Sequence, residues 1–156
     1  MLTKDNALAT VDQIEQLADQ LSDCADELHV RIIKDIKAHA ATPMNDAEQA
    51  ATRALLDDEA VLRQRANALY ADAARAVVST LAASQADVIA LTKKAAERIH
   101  NITLLGDATG LVAGLLMLAG AAGTGQPAPI VLALEKITHQ VQALQAERAA
   151  KPAGTA

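Results

Sequence analysis

The sequence predicts an all-α protein: an elongated antiparallel helical bundle with one very long central helix and an apolar, glycine-rich helical hairpin. Three observations carry this. Alanine dominates, Tyr70 is the only aromatic residue, and strand-forming residues are few and scattered. Apolar residues recur at helical spacing between clear breakers. The stretch Gly106–Leu134 holds six of the chain's seven glycines and two of its four prolines, and carries no charge from Ala108 to Leu134. A length of 156 residues suits one domain, placed at 1–150, with 151–156 as a disordered tail.

The first helix is predicted over 4–40, capped by Thr3 or Asp5. Ala7, Val11, Ile14, Ala18, Leu21, Ala25, Leu28 and Ile32 follow alternating steps of four and three, a heptad seam. Leu8, Leu17, Cys24, Ile33 and Ile36 widen that stripe, as a bundle helix requires. Thr42-Pro43-Met44-Asn45 ends the helix, and Asn45 with Glu48 forms the next cap.

The second helix is predicted over 46–104, because neither Gly nor Pro interrupts it before Gly106. Such a helix would be ~90 Å long at ~1.5 Å per residue, which implies a rod. Its weak point is Ser79-Thr80 to Ser84-Gln85, where the apolar stripe drifts in phase and Ser84 with Asp87 offers a new cap. A break there would give two hairpins and a compact four-helix bundle. Continuity is favoured, since no strong breaker is present. The rod would then be two helices thick and would leave apolar stripe uncovered, so a homo-oligomer is expected, with the seam of the second helix at the contact.

The hairpin has two arms, predicted as helices 107–123 and 129–149. Gly110–Gly123 is fourteen residues without a polar side chain. A run of ~10–14 apolar residues reads as a buried core helix or a re-entrant segment, whereas a membrane span needs ~20. Gly106, Gly110 and Gly114 recur every fourth residue, so they form one ridge, continued by Met117 and Ala121. Leu111, Leu115 and Leu118 line the far side. These eight residues are the candidate interaction surface. Thr124–Pro129 is the turn, and Ile130, Leu134, Ile137, Val141 and Leu144 are the inner face of the last helix.

The net charge of -5 and the single aromatic residue argue against a nucleic-acid partner, since phosphate binding needs a basic footprint. One cysteine excludes an internal disulfide, and the N-terminal segment lacks the apolar core of a signal peptide. The expected location is cytoplasmic, with signal-independent export left open.

Glu97 with His100 and Asp26 with His29 have the spacing of paired ligands in helical di-metal proteins. Glu97 falls outside the predicted inner face with His100 at its boundary, Asp26 falls outside its own, and His139 lies opposite its apolar stripe, so surface positions without a metal are expected. Cys24 sits beside Asp23 and Asp26, whose charges disfavour a thiolate. Asp57-Asp58-Glu59 and Lys93-Lys94 read as solvated faces. No phosphate-cradling loop follows the glycines, and no catalytic residue or cofactor is expected.

In outline, long amphipathic helices flanking an apolar glycine-rich hairpin resemble the helical pore-forming toxins. The resemblance covers Val88 to Leu144 and implies that residues 104–134 insert into a membrane. The residues themselves favour a non-enzymatic helical scaffold that self-associates or binds a helical partner through the hairpin. The absence of Trp and Tyr at the hairpin's flanks also points away from a membrane.

Overall fold

The computed structural model describes residues 8–78, 81, 85–102 and 104–150. Among the described residues the chain is all-helical, with no strand. The expected caps Thr3 and Asp5 and the tail 151–156 lie outside the described residues.

Helix α1 (Val11–Ala38) starts later than its periodicity suggests, because Thr10 supplies a complete capping box. Its hydroxyl accepts from the Gln13 N–H at 3.2 Å, and Gln13 Oε1 accepts from the Thr10 N–H at 3.2 Å. Just before the cap, Leu8 adopts a left-handed backbone (φ 65°) with its side chain fully buried. From Ile14 on the heptad seam is the buried face: Ile14, Ala18, Leu21, Ala25, Leu28 and Ile32 are all inaccessible to solvent, whereas Val11 in the first turn is 40% exposed and Ala7 lies outside the described residues. Helix α2 (Asp46–Ala71) begins as expected, with Asn45 Oδ1 accepting from the Glu48 N–H at 2.8 Å.

The single helix over 46–104 is not formed. Helix α2 closes at Asp72, one turn follows as α3 (Ala73–Ala76), and Val77 is extended at φ -58°, ψ 129°. Among the described residues the next helix is α4 (Gln85–Asn101). Tertiary contacts replace the missing breaker. The Val78 N–H, which a continuing helix would use internally, instead donates to the Leu8 carbonyl at 2.7 Å. Ala73, Ala76, Val78 and Leu81 are buried, so the reversal packs its small and β-branched side chains inward. The proposed Ser84 cap lies outside the described residues.

A 3₁₀ turn (Leu105–Ala108) leads into α5 (Thr109–Thr124), and Gly125 closes that helix in the left-handed region at φ 69°. Helix α6 (Pro127–Ala150) starts two residues before the sequence suggests. Both prolines fit because first-turn N–H groups have no intrahelical acceptor.

The helices close a ring. Helix α1 packs on α2 and α4, α2 on α5, α5 on α6, and α6 on α4. Pairings such as Asp26–Arg63 and His39–Glu48 show that α1 and α2 run in opposite senses. Cys24–Thr92 and Glu27–His100 show that α1 and α4 run in the same sense. The bundle therefore mixes both orientations. Ring closure also covers the seam of α2: Leu55, Leu62, Ala66 and Leu69 are buried within the chain, so they are not free to form the oligomer contact expected of them.

Candidate interaction surface

The charge-free arm is mostly core. Leu111, Leu115 and Leu118 are inaccessible, and Gly114 and Ala121 are buried. These five of the eight candidate residues are used inside the chain. A helix that is apolar nearly all round must be enclosed, and α2 and α6 enclose this one. Gly110 and Gly114 do form a close approach, onto α6: a Cβ at Gly110 would lie 2.7 Å from Gln140 Cδ, and one at Gly114 would lie 2.9 Å from Ile137 Cγ1. The ridge stops there. Gly106 precedes the helix with open space around it, and Met117 is 42% exposed.

On the α2 side, Arg65 lies over Gly120 and donates from Nη1 to the Leu116 carbonyl at 2.8 Å. That guanidinium ties α2 to the backbone of α5.

The polar groups form several separate clusters. Arg63 bridges Asp26 and Glu59, each at 2.8 Å, and His29 Nδ1 lies 3.4 Å from the other Glu59 oxygen. On the opposite flank of α1, His100 Nδ1 pairs with Glu27 at 2.9 Å. The metal-like pairs are thus split, with His29 turned to α2 and His100 to α1, and Glu97, Asp26 and His139 are exposed. Among the described residues no three of His, Cys, Asp and Glu converge as metal ligands would. The wide groove between α1 and α4, about 690 Å³, is lined by Asp23, Asp26, Glu27, Lys93, Glu97 and His100 among others. Desolvation and the neighbouring carboxylates of Asp26, Asp19 and Glu27 raise the Asp23 pKa.

Cys24 is fully buried, with its thiol directed at the Thr92 carbonyl at 3.5 Å. Burial first, and then the charges of Asp23 and Glu27, push its pKa far up, so the thiol is inert.

Comparison with protein-family models, with curated proteins and with solved structures finds no match.

Exposed aliphatic surface is grouped in two places, apart from the single exposed side chains of Val11, Met117 and Leu132. At one end of the bundle a groove of about 490 Å³ runs between α2 and the 3₁₀ turn, with Leu104 61% exposed at its lip, Leu55 and Leu105 in its wall, and His39 and Glu48 at its mouth. On the outer side of α1, Val30 is 57% and Ile36 41% exposed, with Ile33 half-buried between them. A shallow groove of about 420 Å³ runs along the same side, lined by His29, Val30, Ile33, Lys34 and Lys37. Sequence reasoning assigned Ile33 and Ile36 to a widened core stripe and did not single out Val30. The signal was present: Val30 lies off the Ala25/Leu28/Ile32 seam, and an apolar residue out of phase with its own buried stripe has to face something else.

Proposed function

We propose that the chain is a non-enzymatic helical interaction protein that self-associates or binds a helical partner. The observation that supports this best is the exposed aliphatic strip Val30–Ile33–Ile36 on a helix whose exposed positions from Asp12 to His29 are all polar. Exposed apolar surface rimmed by charge is the usual mark of a protein contact. The apolar hairpin serves this function by closing the ring and holding α1 and α2 in place. Of its own surface it contributes Leu104, Met117 and Leu132, all large and exposed. Sedimentation equilibrium of the full chain over a wide concentration range tests self-association. A constant monomer mass would remove that arm and leave binding to another helical protein.

A second reading has an observation of its own. Leu105–Thr124 spans 20 residues and is apolar enough to cross a bilayer, and 56% of that window is buried within the bundle. Insertion would require α5 to leave α2 and α6. Flotation with liposomes of neutral and anionic composition tests it: co-flotation favours insertion, and protein left at the bottom of the gradient favours the bundle as the working form.

A further inference from the structure

Along the outward side of α1, Asp26, Val30, Ile33 and Lys37 follow one another at steps of four, three and four, so they form a single stripe on one helix face. Asp26 and Lys37 are exposed, Val30 is 57% exposed, and Ile33 is half-buried. The order along the stripe is acid, apolar, apolar, base. Reversed end for end, that order becomes base, apolar, apolar, acid, which complements the original position by position. We propose that this face docks against the same face of a second copy, the two α1 helices running in opposite directions about a twofold axis between residues 31 and 32. The proposal rests on the reading of the chain as a self-associating protein and names the surface.

In that pairing Val30 meets Ile33 of the second copy on both sides of the axis, and Asp26 meets Lys37 twice. A twofold contact needs a self-complementary patch of this kind. A parallel pairing of the same stripe would set Asp26 on Asp26 and Lys37 on Lys37, so the charges select the direction. The groove beside the stripe, between Val30, Ile33 and Lys34, gives the opposing aliphatic side chains a place to enter. Asp26 is held in position by Arg63 at 2.8 Å while 63% of its side chain stays exposed, and a carboxylate can accept from a second cation. Beyond Asp26 the outward side turns acidic through Asp23 and Asp19, with no apolar residue at the stripe positions. The contact is therefore confined to the last three or so turns of each helix. An interface of that extent gives a weak, reversible dimer, with a dissociation constant on the order of micromolar or above.

Sedimentation equilibrium on the full chain from ~0.1 µM to ~1 mM, which starts below that range, is the test. The wild-type mass should rise towards the dimer with concentration. Val30→Asp should raise the dissociation constant about tenfold or more, because it places a charge at the centre of the contact. Asp26→Lys and Lys37→Glu each put like charges opposite one another and should each dimerise less than wild type. An equimolar mixture of these two variants should regain the dimer, since both crossed pairs are then of opposite sign. All three positions are on the surface, and circular dichroism of each variant checks that the helices are retained. A wild-type monomer throughout would overturn both the proposal and the self-association it rests on, leaving the face to a partner of different sequence. A wild-type dimer untouched by Val30→Asp or by the single charge reversals would overturn the proposal alone. So would single variants that weaken the dimer but do not restore it when mixed.

Discussion

Gly114 and Ile137 touch so closely that any side chain at position 114 would collide: a Cβ there would lie 2.9 Å from Ile137 Cγ1 and 3.5 Å from the Ile137 backbone nitrogen. This approach sets the spacing of α5 and α6, and the sequence signals it through the four-residue glycine repeat.

Gly114→Ala should therefore lower stability, by ~1–3 kcal/mol, because Ile137 is buried and α6 must shift to admit the methyl group. Gly110→Ala should cost less or nothing. Its obstacle is the end of the Gln140 side chain, which can swing aside, and alanine's helix propensity then offsets up to ~1 kcal/mol. Urea denaturation of both variants gives the order, and a Gly110 variant the less stable of the two would refute this account of the contact.

Gly123 and Gly125 should respond in opposite directions. Gly123 is helical with open space where its Cβ would go, so Gly123→Ala should raise stability by up to ~1 kcal/mol. Gly125 is left-handed, and its Cβ would lie 2.9 Å from the Arg75 carbonyl, so Gly125→Ala should destabilise by at least ~1 kcal/mol. Thermal melts that move the same way for both would contradict the assigned turn.

Leu8 offers an inverted comparison. Truncating a buried leucine to glycine normally costs more than truncating it to alanine. Here the backbone is left-handed, where alanine is strained by ~1–2 kcal/mol and glycine is not. Both variants lose the packing of a buried side chain, ~2–5 kcal/mol, but Leu8→Gly should be the more stable of the two. The usual order in equilibrium unfolding would disprove the strained conformation.

Arg63 gives a test of the α1–α2 pairing. Glu59 is 8% exposed, and Arg63→Met removes its 2.8 Å partner while leaving the longer His29 contact, at a cost of ~1–3 kcal/mol. Adding Glu59→Met should recover much of that loss, because a burial penalty without a partner is removed. A purely additive double variant would show that the two side chains do not interact.

His39 should give the protein a pH-dependent component of stability. The Asp35 carbonyl, accepting from Nδ1 at 2.9 Å, and then the Glu48 carboxylate, 2.9 Å from Nε2, raise its pKa above the ordinary imidazole value. A group with a raised folded-state pKa takes up a proton on folding. Its stabilisation is complete below the ordinary value and fades as the pH climbs through the raised one. Melting temperatures from about pH 5 to pH 8 should fall less steeply for His39→Ala than for wild type, and equal slopes would count against the His39–Glu48 pair.

The all-helical class, the Asn45 cap and the buried seam of α1 from Ile14 to Ile32 were legible because each depends on spacing within a few residues. The reversal after Ala71 was not. Local propensity over Ala71–Leu81 permits a helix, and what stops it is a carbonyl from Leu8 and a packed α5–α6 turn, both remote in sequence. The burial of five of the eight candidate surface residues was hidden for the same reason. Leu111, Leu115 and Leu118 are apolar enough for either a core or an interface, and only the positions of α2 and α6 decide between them.

The order of the ring bears on how the chain survives its own synthesis. Helix α5 is the segment least able to remain in water, and it emerges from the ribosome before α6, one of its two covers. Its other cover, α2, has by then been complete for some forty residues, as its end at Ala71 precedes Thr109 by that much. Domains organise from the N-terminus during synthesis, and exposed apolar segments aggregate while they wait. Because α2 packs on α5, with Arg65 reaching the Leu116 carbonyl, the nascent apolar arm has somewhere to dock as soon as it appears. Moving α2 to the C-terminal end by circular permutation would keep the same ring of contacts while leaving the α2-facing side of that arm uncovered until translation ends.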